Sequence, residues 1–488
     1  MTPIDWCVLC VYMTATIGLG LWVSRSNQNG RDYLLGGGQM GWFVVGMSLI
    51  ATSLSASTFL GSPSYSYQYN FALLLNQVGS LGSVLIVSKI FIHRYREAKV
   101  QSAYELLERN FSRSVRICGA TFYCAHLLLR SGILIFGPAL VLSKMLNCSM
   151  DATIVVTALV SMTYTAFGGL KAVVLTDALQ FMVICLGVTF TFLILDQQVG
   201  LANLWEVASH AGRTQIFPSS HSVWEWIDPR SATSVLSAMV IYTVMEVAIR
   251  GCDQQFVQRY LACKNIGAAL KSSYFSIVLG LPAAFAFYAI GALLFAYYQS
   301  GPSTQPNMVA NEAFPDFIMH HLPSGLRGLL VAAIFAASMS SFDSAINALN
   351  NTTISDLLGW NNEDPRSLVV ARWGAVPWGL LALLVALWAA RSGESLLYQA
   401  LYFTSLFTGP LLALITLAFF RPHWQPKAVL FGMFFGMFLL VLCSPPEFMK
   451  LHDTWVSWPY NPLISCCGAW LGAALVQKVM GPKLHCSP

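Results

Sequence analysis

Met47-Ser48-Leu49-Ile50-Ala51-Thr52-Ser53-Leu54-Ser55-Ala56-Ser57-Thr58-Phe59-Leu60-Gly61-Ser62-Pro63 lies in a segment, 41–67, that is otherwise apolar enough to cross a bilayer. Its middle is packed with hydroxyls and small residues, and it closes on glycine, serine and proline. A spanning helix must satisfy its backbone internally, so such an interruption is tolerated only where it faces protein or a watery cavity. Interruptions of this kind mark binding sites near the membrane midplane. Small residues also let membrane helices approach closely. Read alone, the stretch therefore supports a packing face equally well.

The rest of the chain fits a membrane setting. Of its 488 residues, 56% are hydrophobic and 10% charged, and the mean hydropathy is +0.60. Ordinary soluble chains carry about 25% charged residues. We count about thirteen apolar stretches near the roughly 20 residues that span a bilayer, which leaves no room for a separate soluble domain. The first, 4–23, has neither a basic region ahead of it nor a clear cleavage site, so it reads as a retained helix rather than a signal peptide.

The net charge of +5 says less than the placement of the basic residues. Loops after odd-numbered crossings, 94–116 above all, are rich in Lys and Arg, and those after even-numbered ones are poor. The positive-inside rule then puts the N-terminus outside and the C-terminus in the cytoplasm of a multi-pass protein of the cell membrane, with the lipid bilayer as its surroundings. These basic loops are short and flank apolar helices, which argues against nucleic acid as a partner. Twelve cysteines are scattered, mostly within spans. Cys7 and Cys10 match a CxxC pattern, but they lie in the first apolar helix with no second Cys/His pair nearby, and we read them as packing.

Polar residues inside the spans carry the chemistry. Ala337, Ser340, Ser341, Ser344 and Asn347 fall at i, i+3, i+4, i+7 and i+10, one stripe of a helix, with Asp343 beside it. A single Ser in a membrane helix is usually bonded to its own backbone. Several on one face, beside a carboxylate, offer the hard oxygens that a stripped alkali cation needs, and an interrupted helix frees carbonyls for the same purpose. Arg130 stands deep in the span 117–146, which also holds Gly137-Pro138 as an expected kink. A guanidinium there needs a partner. A substrate carboxylate is one candidate; an internal acid such as Asp177 or Glu246, or a set of backbone carbonyls, is the other.

Asp177 and Asp343 are both placed to face a cation, with hydration as the alternative for Asp177. Glu246 and Arg250, at i and i+4, read as a local salt bridge. Gln77 fits an interhelical hydrogen bond, and His126 a packing role. Spans 152–167 and 173–195 are joined by a tight turn at Gly168-Gly169.

Asp32-Tyr33-Leu34-Leu35-Gly36-Gly37, the 48–61 stretch, Tyr164 to Val173 with Thr176-Asp177 and Gln180, Val257-Gln258-Arg259, and Met339-Ser340-Ser341 together resemble the sodium/solute symporter family over nearly the whole chain. The resemblance implies an all-α membrane protein of about thirteen transmembrane helices with a LeuT-like core of two inverted five-helix repeats. It divides the chain into a first helix and cytoplasmic link (1–40), a first repeat (41–196), an extracellular segment and second repeat (197–420), and two C-terminal helices (421–488). The second repeat is expected to open on a broken helix, 231–249, in which no Gly or Pro interruption is visible.

The resemblance also implies site residues. The family's common sodium site falls on the carbonyls of Ala51, Leu54 and Ala337 and the hydroxyls of Ser340 and Ser341. The sialic acid branch has a further sodium site, which falls on Asp177, Ser340 and Ser344; Asp343 stands where a hydroxyl is expected, leaving open whether it binds a cation or a proton. The same branch places substrate contacts on Ser53, Ser55, Thr58, Gln77 and Arg130. Gly137 to Leu140 and Gly169 to Val173 are more like the iodide, multivitamin and monocarboxylate branch. The expected function is sodium-coupled import of a small organic solute, an anion such as a monocarboxylate or sialic acid, with Na+ as the coupling ion. The alternatives are a carrier of neutral sugar or amino acid with Arg130 structural, and an intramembrane enzyme, for which no nucleophile or metal motif is present. A single chain is expected to suffice.

Overall fold

A computed structural model describes residues 1–25, 29–217, 222–300, 305, 308–360, 365–391, 396–444 and 455–481. Among these residues the regular structure is helical, with one isolated bridge between Met40 and Cys263. Nine helices among them are long and apolar enough to cross a membrane, ten when a bent pair is taken as one span. Two shorter apolar helices, Met150–Thr163 and Thr404–Phe420, and a broken segment over 236–262 lie among these spans, against the about thirteen crossings read from the sequence.

Helix α1 (Pro3–Ser24) starts on a capping box in which Thr2 and Asp5 satisfy each other's amides. Cys7 and Cys10 are exposed on its surface, and no cluster of His, Cys, Asp and Glu suited to a metal exists among the described residues. α2 (Gly30–Leu35) is a short turn that ends on Gly36, Gly37 and Gly38, all with positive φ, a region that side chains with a Cβ avoid.

α3 (Trp42–Ser53) and α4 (Ala56–Gln68) form one crossing bent by 54°. The break falls at Leu54 (φ −88°, ψ 83°) and Ser55, whose hydroxyl caps α4. Gly61, Ser62 and Pro63 lie inside α4 rather than at the break. A serine cap is enough, because its oxygen satisfies an amide that a new helix leaves open.

α5 (Asn76–Ile86) continues through a π turn, Val87–Ile92, and α6 (Arg113–Leu146) runs on through Pro138. α7 (Met150–Gln198) is interrupted at Gly169 (φ 65°, ψ −175°). The Tyr33 hydroxyl donates to the carbonyls of Thr165 (3.1 Å) and Ala166 (3.0 Å), which the interruption has freed. Two of the motifs read in the sequence are therefore one joint.

α8 (Tyr242–Cys252) and α9 (Gln254–Ala262) form a second broken helix. Its break is Asp253 (φ −74°, ψ 123°), just beyond the expected span, and the Asp253 carboxylate accepts the Gln255 amide at 2.8 Å. No glycine or proline is required, since a carboxylate at a helix start offsets both the open amides and the positive end of the dipole. Beyond α9, the Met40 amide donates to the Ala262 carbonyl (2.9 Å) and the Lys264 amide to the Met40 carbonyl (3.2 Å).

α10 (Ile266–Ser300) packs against α3 and α4, and α11 (Ala310–Asp316) lies across α4. α12 (Leu326–Asn351) is the most enclosed crossing, set against α1, α3, α6 and α7. Its run of Ala and Ser allows that close approach, which supplies van der Waals contact where lipid gives no hydrophobic drive. α13 (Pro365–Ala389) and α14 (Leu396–Phe420) complete this body. α15 (Pro426–Cys443) and α16 (Asn461–Met480) pair through Gly432 and Gly436 on one helix and Gly468 and Gly472 on the other, and α16 rests on α14.

Candidate functional site

The first break brings backbone oxygens of α3 to the small face of α12. Ser340 Oγ donates to the carbonyls of Ala51 (3.1 Å) and Ala337 (3.3 Å), and Ser341 Oγ to that of Ala337 (3.4 Å). Ala51, Ala337, Ser340 and Ser341 are all buried. Leu54, also buried, is the non-helical residue at the break. These oxygens are carbonyl and hydroxyl, at the negative end of α3, and that donor set and dipole suit a small alkali cation.

One turn deeper lies a charged cluster. Arg259, fully buried on α9, donates from Nε to Ser48 Oγ (2.7 Å), from Nη1 to the Gln255 carbonyl (2.7 Å), and from Nη2 to Asp177 Oδ2 (2.8 Å) and Ser344 Oγ (2.5 Å). Ser48 Oγ also donates to Asp177 Oδ2. Thr52 and Ser344 hydroxyls are 3.2 Å apart. One guanidinium thus joins α3, α7, α9 and α12. A buried pair of this kind repays its desolvation only when hydrogen bonds satisfy the charges, and four contacts do so for the arginine. Asp177 is fully buried rather than hydrated, and its Oδ1 makes no hydrogen bond. Asp343, next along α12, accepts from Thr165 Oγ1 at 2.6 Å.

Arg130 reaches the second break. Its Nη1 is 3.5 Å from Asp253 Oδ2 and makes no hydrogen bond, although that nitrogen is buried. Asp253 also accepts from the Tyr123 hydroxyl at 2.6 Å. The acid beside Arg130 is therefore Asp253, not Asp177 or Glu246, which belong to other pairs. Glu246 and Arg250 form the local bridge read from their spacing, at 2.7 Å. His126 is buried against Phe407, with ring centroids 5.5 Å apart.

The remaining substrate candidates are distributed around the two breaks. Ser53 Oγ donates back to the Leu49 carbonyl (3.0 Å). Ser55 and Thr58 hydroxyls are 3.4 Å apart at the start of α4, which packs against α6, the helix of Arg130. Gln77 is half-buried in the first turn of α5, which packs against α8.

Sequence reasoning missed Asp253, Tyr123 and Thr165 as partners and quoted Arg259 only as part of a motif. A signal existed for Arg259: a lone acid in an apolar span, Asp177, needs a counter-charge, and the polar run after α8 offers one. None existed for Tyr123, which reads as an ordinary aromatic of a span.

The model of the sodium:solute symporter family matches residues 33–436. A sodium/sialic acid symporter of Proteus mirabilis (strain HI4320) is 28% identical over 438 residues, covering 88% of this chain and 87% of that protein. A sodium-dependent multivitamin transporter of Oryctolagus cuniculus is 30% identical over 453 residues, covering 89% of this chain and 69% of that protein. A solved structure described as the substrate-bound outward-open state of a Na+-coupled sialic acid symporter superposes with a TM-score of 0.88 at 24% identity, covering 99% of each chain. The last likeness speaks to the fold.

Proposed function

The chain belongs to the sodium:solute symporter family, and from that premise we propose that the solute it carries with Na+ is a small organic anion held by Arg130. Membership makes it a multi-pass membrane transporter coupled to sodium rather than an enzyme. The observation that carries the anion reading is the Arg130 guanidinium: half-buried at the second break, with a buried Nη1 that makes no hydrogen bond and a neighbouring acid at ion-pair distance only. A carboxylate accepts two parallel N–H donors from such a group. Ser53, Ser55, Thr58 and Gln77 are proposed to hold the rest of the solute.

The coupling ion is assigned to the oxygens of Ala51, Leu54, Ala337, Ser340 and Ser341. Asp177 Oδ2 and Ser344 already hold a guanidinium, so a second ion at Asp177, Asp343 and Ser344 would have to share those oxygens with a resident positive charge. We therefore assign one ion per cycle. Bound between α3 and α12, that ion favours the state in which both line its site; it shifts the equilibrium only by its difference in affinity between states. The stretch 41–196 is read as the first repeat and 197–420 as an extracellular segment and the second repeat, each repeat with a broken helix near its start. The N-terminus is placed outside, and one chain is taken as the working unit in the bilayer.

Uptake into proteoliposomes tests the solute class, with a panel of sialic acids, monocarboxylates, sugars and amino acids in sodium or choline. Arg130→Ala is expected to lower carboxylate uptake by about a hundredfold or more, and Arg130→Lys by about tenfold, because an ammonium cannot replace the planar fork. The second reading is favoured by the 3.5 Å approach of Asp253: a neutral solute, with Arg130 tied to the protein. Uptake of a sugar or amino acid alone, with normal affinity in Arg130→Ala, would establish it.

A further inference from the structure

Three linkers that follow odd-numbered crossings meet around one cavity of about 750 Å³. α2 brings Arg31, the chain beyond α5 brings Arg96 and Lys99, and the turn between α9 and α10 brings Lys264. No Asp or Glu lines it among the described residues. Arg96 Nη1 donates to the Leu261 carbonyl at 3.0 Å, fixing that wall to the end of α9. Lys99, at φ 50°, turns the chain over the rim. Asn265 accepts the amides of Ala268 through Oδ1 (2.8 Å) and of Ala269 through its carbonyl (3.1 Å), which starts the 35-residue α10 at the wall of the same space, where Ile266 and Gly267 line it. Four side-chain cations and a positive helix end converge there.

Like charges gathered in one hollow raise one another's energy. A phosphate group, whose oxygens match guanidinium forks, relieves that repulsion. We propose that this cavity binds a phosphate group and that occupancy holds the α9–α10 turn against α2 and the chain beyond α5. Its placement on the cytoplasmic side rests on the orientation proposed above; the binding itself does not. α9 carries Arg259 into the core, so fixing the far end of that helix favours the state in which the guanidinium meets Asp177. The headgroup of an anionic phospholipid and free phosphate share this chemistry.

The test uses the full chain and reads binding rather than flux, so it stands even if the anion reading fails. Retention of phosphatidylglycerol is followed by native mass spectrometry after exchange from mixed phosphatidylcholine and phosphatidylglycerol vesicles, and the melting temperature is followed against inorganic phosphate, in choline buffer. The pocket variant is Lys99→Asn with Lys264→Gln, both exposed positions. The control variant is Lys427→Gln with Lys478→Gln, also exposed and outside the cavity. Weakening of phosphatidylglycerol retention on the order of tenfold in the pocket variant alone supports a lipid source. A phosphate-dependent rise in melting temperature that only the pocket variant loses supports a free source. Equal behaviour of the pocket and control variants toward both probes overturns the proposal.

Discussion

Ser340 and Ser341 each spend a hydroxyl proton on a carbonyl of the candidate ion site, and a cation entering there would meet the lone pairs of the same oxygens. Removing either oxygen leaves the helix intact, because Ala is the better helix former. Ser340→Ala and Ser341→Ala are each expected to raise the sodium concentration for half-maximal uptake by about tenfold, ~1.4 kcal/mol for one lost ligand. Unchanged sodium activation in both variants would remove the ion from this place. Arg259 poses the opposite case. Arg259→Ala strands a fully buried carboxylate at Asp177, which costs about 3–5 kcal/mol, and adding Asp177→Asn is expected to recover part of the lost melting temperature. A double variant no more stable than the single would mean that the pair is not the coupled unit described. Sequence alone exposed Ser340 and Ser341 through their helical spacing. It did not expose Asp253 beside Arg130, because that carboxylate lies on a different crossing and no spacing rule relates the two.

At the level of elements, both interrupted helices rest on a side chain that caps the second half: Ser55 in one and Asp253 in the other. The first was legible because a cluster of hydroxyls in an apolar run is conspicuous. The second was sought as glycine or proline and therefore overlooked, although Asp is among the strongest caps. The joint in α7 is of another kind. Gly169 holds φ 65° with ψ −175°, and a Cβ there would stand 2.6 Å from the Tyr33 carbonyl oxygen. Gly169→Ala is expected to destabilise the protein by about 1–3 kcal/mol through that backbone conformation, and the contact with Tyr33 adds to it. A melting temperature equal to that of the parent would show that the joint relaxes. The Gly168-Gly169 turn was visible in sequence; that Tyr33 caps it was not, since the two are separated by more than a hundred residues.

Across the molecule, the crossings and their order were legible because bilayer thickness sets a segment length that a hydropathy reading detects. Contacts between linkers were not, and one of them responds to pH. Glu108, in the linker ahead of α6, accepts from Arg116 (2.7 Å) and Arg113 (3.4 Å), while Arg116 Nε donates to Asp356 in the π turn that follows α12 (2.8 Å). The hydrogen bond from Arg116 holds the Glu108 carboxyl below its ordinary value. A carboxyl lowered on folding adds stability that is complete above its unfolded value and is lost as pH falls through the folded one. The melting temperature is therefore expected to decline with acid below about pH 4.3, with a shallower decline in Glu108→Gln. Identical slopes would place the acid response elsewhere.

The guanidinium lodged between Ser48, Asp177 and Ser344 has one more consequence. A positive charge borne by the chain cannot be dialysed away. Charge balance around Asp177 then owes nothing to the bathing electrolyte. Protein prepared in potassium or choline should keep its folded core, so that any response to added sodium reports the transported ion alone.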